Sequence, residues 1–225
     1  MAALRAIALN CTLKPSPAES STDVLISQIG DAFEDRGVEL ETIRIADLDI
    51  KPGVTDDEGA GDEWPSVRER ILAADIVLLA TPIWLGNPSS ICRRVLERMD
   101  AFISETDDEG RQVTFGRVAV VATVGNEDGA HNVAAQAYQG MADVGFTIPA
   151  GAQAYWVGEA MGSVDYKDLK GKPDKVAQSI DSLTTNAAHL ARLLKDQPYP
   201  PPGSCARPRC APSSELVLAE GRYER

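Results

Sequence analysis

Three segments of the chain combine the polar, aromatic and glycine residues that could bind a ligand. They are residues 10–21 (NCTLKPSPAESS), 81–90 (TPIWLGNPSS) and 123–132 (TVGNEDGAHN). The first is rich in hydroxyl groups and carries Lys14, and Ser20, Ser21 and the following Thr22 can cap a helix. The N–H groups and the dipole at a helix N-terminus favour a phosphate. Because the glycines of a dinucleotide fingerprint or a P-loop are missing, the segment indicates a mononucleotide phosphate site; the alternative is an ordinary turn.

The second segment places large apolar groups at the exposed end of a strand that we predict to be buried. These residues are Pro82, Ile83, Trp84, Leu85 and Gly86. Such a surface suits a flat ring, and the backbone N–H groups around Gly86 could face the polar edge of that ring. Asn87 is expected to set the turn into the following helix. The alternative is a hydrophobic lid that packs on its own domain.

The third segment encloses polar residues between two glycines. Gly125 and Gly129 permit tight backbone conformations close to a ligand, and Asn126 lies between them. A carboxylate beside an electron-rich ring would disfavour added negative charge. We therefore expect Glu127 and Asp128 to cap the following helix rather than to contact such a ring.

His131 is the candidate proton-handling residue, because it lies next to these segments and is one of two histidines in the chain. An exposed histidine at the start of a helix is the alternative. His189, inside the last predicted helix, is expected to be structural.

Apolar runs alternate with amphipathic helical stretches, a pattern typical of βαβ units in an α/β protein. Strands are predicted at residues 4–9, 38–45, 75–80, 117–124 and 150–157, and the last helix at 173–195. The result is a doubly wound, five-stranded parallel sheet with helices on both faces. Ligands of such sheets bind outside the carboxyl ends of the strands. The three segments follow the first, third and fourth strands, so we expect them to meet there.

Two stretches do not follow this pattern. Residues 46–63 are rich in Asp, Glu and Gly and are expected to form a surface loop. Residues 198–225 contain PYPPPGSCARPRC and are expected to be a tail beyond a single domain at residues 1–197. That tail is either a flexible end or an arm laid across a neighbouring subunit.

Composition excludes several classes of function. A formal charge of −12 and a pI near 4.6 disfavour nucleic acid and anionic membranes as partners. The most apolar stretch contains prolines and polar residues, so no membrane span is expected. Cys11 and Cys92 are expected to be reduced thiols in a cytoplasmic protein, whereas Cys205 and Cys210 either close a small disulfide loop or have no role. We predict no metal site, since paired CxxC motifs are missing.

The three segments are similar to the ligand loops of a known family. LNCTLKP followed by SST resembles a phosphate loop of the form LNGSPR…NT, TPIWLGNPSS resembles TPIYWGNPSS, and TVGNEDGAH resembles a third, ring-edge loop. These loops belong to the flavodoxin-like NAD(P)H-dependent FMN reductases and quinone reductases, and the resemblance covers residues 4–195. It implies the flavodoxin-like strand order 2-1-3-4-5.

The resemblance also implies non-covalent FMN and a set of residues around it. Those expected to bind FMN are Thr12, Lys14, Ser20, Ser21, Thr22, Pro82, Ile83, Trp84, Leu85, Gly86, Asn87, Thr123, Gly125, Asn126, Glu127 and Gly129. Cys11 and Leu13 replace the usual glycine and proline of the phosphate loop. Family members are commonly homodimers or homotetramers, so one of these assemblies is expected.

The expected reaction transfers a hydride from NAD(P)H to FMN and then to a quinone or another small flat acceptor. The cofactor carries such chemistry, while the protein supplies position and excludes water. Trp84 would form a wall of the acceptor pocket, and His131 would orient or protonate the acceptor. One alternative is a flavodoxin-type electron carrier that docks to protein partners through its acidic surface. Another is a protein in which Cys11 and Leu13 have abolished flavin binding.

Overall fold

The computed structural model describes residues 3–204, in which strands and helices alternate as predicted. The strands are β1 (Leu4–Asn10), β2 (Val38–Arg44), β3 (Ile76–Trp84), β4 (Asn87–Pro88), β5 (Val118–Gly125) and β6 (Gln153–Val157). The helices are α1 (Ser21–Glu34), α2 (Trp64–Ala73), α3 (Ser90–Arg98), α4 (Ala130–Asp143) and α5 (Asp174–Asp196). The predicted roles of Cys205 and Cys210 lie outside the described residues.

Five parallel strands form the sheet in the order β2-β1-β3-β5-β6. The two-residue strand β4 pairs antiparallel with the end of β3 and lies off this path. Without β4 the order is the predicted 2-1-3-4-5. The carboxyl ends of β1, β3 and β5 therefore lie side by side, which is the edge where such sheets bind ligands.

Helices cover both faces of the sheet, which explains why the central strands read as continuous apolar runs. On one face, α1 and α5 pack against alternate strand residues such as Ala8 and Leu78. On the other face, α2, α3 and α4 pack against the intervening residues, such as Leu9 and Leu79. Each such buried leucine or isoleucine side chain contributes about 1.5–3 kcal/mol to folding. The backbone at the ligand edge is thus held by a two-sided core.

β3 extends further than predicted and ends in a hairpin rather than an open loop. Thr81 and Pro82 continue the pairing with β5, and Trp84 then pairs with Asn87 of β4. The connecting residues Leu85 and Gly86 both have positive φ, 51° and 71°. Two successive residues of positive φ make a type I′ turn, whose twist matches that of the strands. We call residues 81–88 the Trp84 hairpin.

The predicted surface loop 46–63 is tied to the core instead of lying free on the surface. Ile50 is buried. Asp62 forms an ion pair of 2.7 Å with Arg98 of α3, and neither side chain has exposed surface. Arg98 also donates to the carbonyl oxygens of Lys51 and Thr55. The buried guanidinium of Arg98 thus binds residues 51–62, a polar segment that composition alone predicts to be exposed to solvent.

The start of the predicted tail packs on the domain. The Tyr199 hydroxyl lies 3.0 Å from Thr147 Oγ1, and its ring makes an edge contact with Phe115 at 5.5 Å. Within residues 3–204, no helix combines the length and apolar character that crossing a bilayer requires. In the same range, no cluster of three or more His, Cys, Asp or Glu residues is placed to hold a metal ion.

Candidate functional site

The three segments meet at the carboxyl edge of the sheet, where they line a cleft of about 670 Å³. The cleft wall contains most of the residues singled out in the sequence: Thr12, Lys14, Ser20, Ser21, Thr22, Pro82, Ile83, Trp84, Gly125, Asn126 and Glu127. A volume of this size is typical of small-molecule and cofactor sites, which span about 300–1,000 Å³.

The five other predicted FMN-binding residues, Leu85, Gly86, Asn87, Thr123 and Gly129, do not line the cleft. Leu85 is at the hairpin tip and 90% exposed, and Asn87 donates to its carbonyl oxygen at 2.7 Å. Thr123 is buried in β5 and accepts a hydrogen bond from Gln153. Gly129 packs on the hairpin tip.

His131 lies outside the cleft wall. It is exposed on the first turn of α4, and its ring meets the ring of Tyr155 edge-on at 5.1 Å between centroids. His131 therefore belongs to the third segment in sequence, but it does not line the cleft that the three segments enclose.

The phosphate-binding segment is built around the start of α1. Ser20 is the N-cap, and its hydroxyl accepts hydrogen bonds from the N–H groups of Thr22 and Asp23. The Thr12 N–H donates to Asn10 Oδ1 at 3.0 Å, so the end of β1 fixes the loop. The Asn10 amide in turn contacts the carboxylate of Asp23. The hydroxyl groups and the positive end of the α1 dipole thus form a polar cradle suited to an anion at one end of the cleft.

Two side chains at and just after the end of β2 also hold this loop. Asp47 accepts hydrogen bonds from the N–H and the hydroxyl of Ser16, at 2.6 and 2.7 Å, and these bonds lower the pKa of Asp47. Arg44 donates to the carbonyl oxygen of Ala18 at 2.8 Å and pairs with Asp23. Residues outside the loop therefore set its shape.

Cys11 belongs to the core rather than to the surface of the loop. Its N–H donates to the Ala80 carbonyl at 2.8 Å, and its own carbonyl accepts from the Ser89 hydroxyl at 2.7 Å. Burial, together with the neighbouring Cys92, raises the pKa of the Cys11 thiol well above its ordinary value. The thiol is consequently neutral at physiological pH and fills space beside Cys92.

At the other end of the cleft, the third segment is hydrogen-bonded to the Trp84 hairpin. Glu127 accepts hydrogen bonds from the N–H groups of Leu85 and Gly86, both at 3.0 Å. Asn132 donates to the Gly86 carbonyl at 2.8 Å. A Cβ on Gly129 would lie 2.6 Å from Gly86 Cα, so this contact requires glycine.

These contacts overturn two expectations about the third segment and the hairpin. Neither acidic side chain caps α4, because its N-cap is Gly129 and has no side-chain hydrogen bond. Asp128 instead accepts from the Gly129 N–H, and Glu127 bonds to the hairpin. The N–H of Gly86, expected to face a ring, is bonded to Glu127. The hairpin offers the Glu127 carboxylate two N–H groups that point in the same direction. Such a pair binds a carboxylate more strongly than the single N–H group that a cap at the start of α4 would offer.

A fourth wall, which was not predicted from the sequence, is formed by the end of β6 and the segment after it. Its cleft-lining residues are Trp156, Met161, Gly162, Asp165, Tyr166 and Lys167. Asn126 ties this wall to the third segment by donating to Gly162 and Asp165, at 3.2 and 3.0 Å. The Lys167 N–H donates to Ser21 Oγ at 3.3 Å and joins it to α1. The signal was available, because this segment leaves the carboxyl end of the strand next to β5.

The two ends of the cleft differ in chemistry. Lys14 and Lys167 lie near the hydroxyl-rich end, where Lys167 pairs with Asp168 at 2.8 Å and with Glu19 at 3.5 Å. Apolar side chains, above all Trp84 and Trp156, line the other end. The arrangement fits an elongated ligand with an anion at one end and a flat, largely apolar group at the other.

Comparison with known proteins places these features in context. Residues 4–162 match the family described as NADPH-dependent FMN reductase. The 8-demethyl-8-aminoriboflavin-5'-phosphate synthase of Streptomyces davaonensis is 36% identical over 209 residues, which are 88% of this chain and 80% of that protein. The divalent metal cation transporter MntH of Mycobacterium bovis is 38% identical over 199 residues. That match covers 85% of this chain but 29% of the transporter, so this chain spans under a third of that relative's length.

Solved structures extend the comparison. RosB with the bound intermediate 8-demethyl-8-formylriboflavin-5'-phosphate superposes with a TM-score of 0.82 at 35% identity, covering 88% of this chain and 82% of RosB. An archaeal flavodoxin superposes with a TM-score of 0.53 at 12% identity, covering 84% of this chain and 99% of the flavodoxin. The second likeness concerns the fold alone, and it confirms the predicted flavodoxin-like architecture.

Proposed function

The chain belongs to the NADPH-dependent FMN reductase family, and from this premise we propose that it binds riboflavin 5'-phosphate (FMN) in the cleft and uses it to pass a hydride from NADPH to a small planar acceptor. The observation that carries the proposal is the joining, in one cleft, of a hydroxyl-rich helix N-terminus and an apolar end walled by tryptophans. The hydroxyl-rich end matches the phosphate of a flavin mononucleotide, and the apolar end matches its ring.

We assign the phosphate to the start of α1. Thr12, Ser20, Ser21 and Thr22 would donate their hydroxyl groups to it, and the helix dipole would stabilise its charge. Lys14 would supply a cation at the mouth of the cleft. Contacts of Asn10, Asp47 and Arg44 hold the loop, so we expect the cradle to bind the phosphate with Cys11 and Leu13 in place of the usual glycine and proline.

We assign the flavin ring to the apolar end. Pro82, Ile83 and Trp84 would face it from the hairpin, and Trp156 from the fourth wall. Gly125 leaves room for Ile83, because a Cβ there would lie 2.9 Å from Ile83 Cβ. When bound, FMN supplies the hydride chemistry itself. The side chains contribute position and exclude water, and the reaction requires no catalytic triad.

The acceptor would enter over an apolar rim. Trp84 is 54% exposed and Met161 94%, and both line the cleft, while Leu85, next to Trp84 at the hairpin tip, is 90% exposed. Leu85 and Met161 are also the non-glycine residues of positive φ within residues 3–204. Exposed apolar side chains on strained backbone indicate a functional surface. This rim favours an apolar, flat acceptor such as a quinone.

We further propose that the working form is a homodimer or homotetramer with its domain at residues 1–197. Burial of the apolar rim on a second copy would be consistent with that assembly. Light scattering on the purified full chain would measure the molar mass and decide between one copy, two copies and four.

A second candidate function has a specific observation in its favour. The Streptomyces relative is named for making a modified riboflavin 5'-phosphate, and RosB holds a riboflavin-phosphate intermediate. In that case the same cleft would hold flavin phosphate as a substrate to be altered rather than as a resident cofactor. Both candidates place the phosphate at α1 and the ring beside Trp84.

An anaerobic stopped-flow experiment with FMN-loaded protein and NADPH tests the proposal. We expect rapid bleaching of the oxidised flavin absorption, followed by recovery when a quinone is added. Negligible bleaching would favour the electron-carrier alternative, and a protein that stays colourless in excess FMN would overturn flavin binding. Mass spectrometry of the released flavin separates the two candidates, because a cofactor keeps its mass and a substrate changes it.

A further inference from the structure

We propose that Glu127 is a positioning residue of the flavin site, and that its carboxylate holds Trp84 in place by binding both N–H groups of the hairpin tip. This inference rests on the proposed function, because the importance of Trp84 depends on a flat ligand in the cleft. It concerns a residue whose expected role, capping of α4, the structure contradicts.

The two N–H groups of the hairpin tip form a binding site for a carboxylate. Leu85 and Gly86 both have positive φ, and successive N–H groups in such a turn point in a common direction. Each N–H lies 3.0 Å from a different oxygen of Glu127, so one side chain satisfies both donors. Hydrogen bonds to a charged acceptor are stronger than neutral ones.

Anchoring of the tip depends on few other contacts. Strand β4 has two residues, and its pairing with β3 extends over Ile83 and Trp84. The Gly86 carbonyl accepts a hydrogen bond from Asn132, and Gly129 approaches Gly86 closely; both residues belong to the same segment as Glu127. The Leu85 carbonyl accepts from the Asn87 side chain, which in turn accepts from Gln136 of α4 at 3.3 Å. These contacts bind the carbonyl oxygens of the tip, so loss of the Glu127 carboxylate would leave both N–H groups of the tip without their acceptor.

Trp84 is the residue that this support positions. It directly precedes the turn, it forms part of the cleft wall, and it is half-exposed, so core packing does not fix it. Movement of the tip would widen the apolar end of the cleft. The polar cradle at α1 would be unaffected, because Ser20 and Asn10 hold it independently.

Glu127→Ala in the full chain tests the inference, with Asp128→Ala as the matched control. Both substitutions remove one negative charge from the same loop, but Asp128 bonds to Gly129 rather than to the hairpin. FMN titration followed by flavin fluorescence should show affinity about tenfold weaker in Glu127→Ala, the loss expected for charge-assisted hydrogen bonds. The control should stay within about twofold of the parent.

Two measurements separate this role from general loss of structure. In the flavin-free protein, acrylamide should quench Trp84 fluorescence more strongly in Glu127→Ala than in the parent, and adding Trp84→Phe should abolish the difference. Sodium acetate, compared with sodium chloride at equal ionic strength, should restore FMN affinity and Trp84 protection in Glu127→Ala alone. A small carboxylate can occupy the vacated amide pair, whereas chloride cannot bridge it in the same way.

Unchanged quenching of Trp84 in Glu127→Ala, or lost FMN affinity that acetate does not restore, would overturn the inference. If Glu127→Ala fails to fold, Glu127→Gln takes its place, and it should show a smaller loss because its amide has one accepting oxygen. If the parent protein binds no FMN, the proposed function fails, yet the quenching comparison in the flavin-free protein still tests whether Glu127 holds the hairpin.

Discussion

Asp47 and Ser16 form a two-point contact in which one carboxylate accepts both the N–H and the hydroxyl of the serine, at 2.6 and 2.7 Å. The contact joins the segment after β2 to the middle of the loop that leads into α1. Neither residue lines the cleft. It follows that the shape of the proposed phosphate cradle depends on a residue that never touches the ligand.

Asp47→Asn should weaken FMN binding by about threefold to tenfold, since an amide replaces a charged acceptor of two hydrogen bonds. Riboflavin, which lacks the phosphate, should bind the variant and the parent equally. Titration of both flavins against both proteins measures the difference. Asp49→Asn is the matched control because Asp49 is exposed on the same segment. Equal losses for FMN and riboflavin would contradict a role at the phosphate end.

FMN binding should also lose the Asp47 contribution in acid. The hydrogen bonds from Ser16 hold the pKa of Asp47 below its ordinary value. A depressed pKa means that the ionised carboxylate is favoured in the folded loop, so its contribution is present above about pH 4 and is lost as the pH falls further. The ratio of FMN to riboflavin affinity should fall in both proteins as the flavin phosphate takes up a proton near pH 6, and below about pH 4 it should fall further in the parent than in Asp47→Asn.

The sequence was sufficient for the parallel strands and for the first wall of the site. Strands buried on both faces are continuous apolar runs, and a cluster of helix-capping residues such as Ser20 identifies a helix start locally. The hairpin was not predictable in this way. A Leu85–Gly86 turn becomes a hairpin because Trp84 and Asn87 pair, and Leu85 is an unusual residue for the positive φ that the turn requires.

Long-range polar partners account for the other differences between sequence and structure. Glu127 acts on residues 41 and 42 positions earlier in the chain, and Asp62 pairs with a cation on α3. Nothing in the local sequence distinguishes either acid from its exposed neighbours. The fourth wall was missed for a different reason. The segment after β6 also lies at the carboxyl edge of the sheet, where ligands bind, but it carries no phosphate-binding or glycine-rich pattern.

Arg98→Met should destabilise the fold by about 3–5 kcal/mol, because it leaves the carboxylate of Asp62 buried without its cation. The double variant Arg98→Met/Asp62→Leu should recover part of that loss, since both buried charges are then gone while the backbone groups bonded to Asp62 and Arg98 lose their partners. Urea unfolding of the parent, both single variants and the double variant measures the coupling. Additive effects of the two substitutions would show that the pair does not act as a unit.

The same ion pair predicts acid sensitivity of the fold. Burial alone would raise the pKa of Asp62, but hydrogen bonds from the Glu58 N–H and from Arg98 lower it to about 2. Because the folded pKa lies below the unfolded value, the stabilisation is complete above about pH 4 and is lost between about pH 4 and pH 2. A shift of this size corresponds to about 2 kcal/mol. Unfolding free energies across that range should decline more in the parent than in the double variant.

His131→Ala should leave NADPH-dependent flavin reduction and acceptor turnover within about twofold of the parent. The imidazole is exposed and packs against Tyr155 outside the cleft wall, so it has no direct path to a ligand there. Stopped-flow reduction and steady-state turnover over a range of pH measure both steps. A large loss together with a changed pH profile would restore His131 as a proton donor to the acceptor, the role predicted from its position in the sequence.

Leu85→Gly and Met161→Gly should separate stability from function at the cleft mouth. Both side chains are almost fully exposed, on backbone with φ of 51° and 59°. Glycine adopts such conformations without steric cost, so the free energy of unfolding should stay constant or rise by up to about 1 kcal/mol. The KM for a quinone should nevertheless rise several-fold, because the acceptor loses apolar contacts, while the rate of flavin reduction by NADPH stays the same.

Val54→Ala, which changes an apolar residue that is 55% exposed and outside the cleft wall, should alter neither quantity. If KM is unchanged in both glycine variants, the strained apolar rim does not contact the acceptor, and the acceptor must approach the ring from another side.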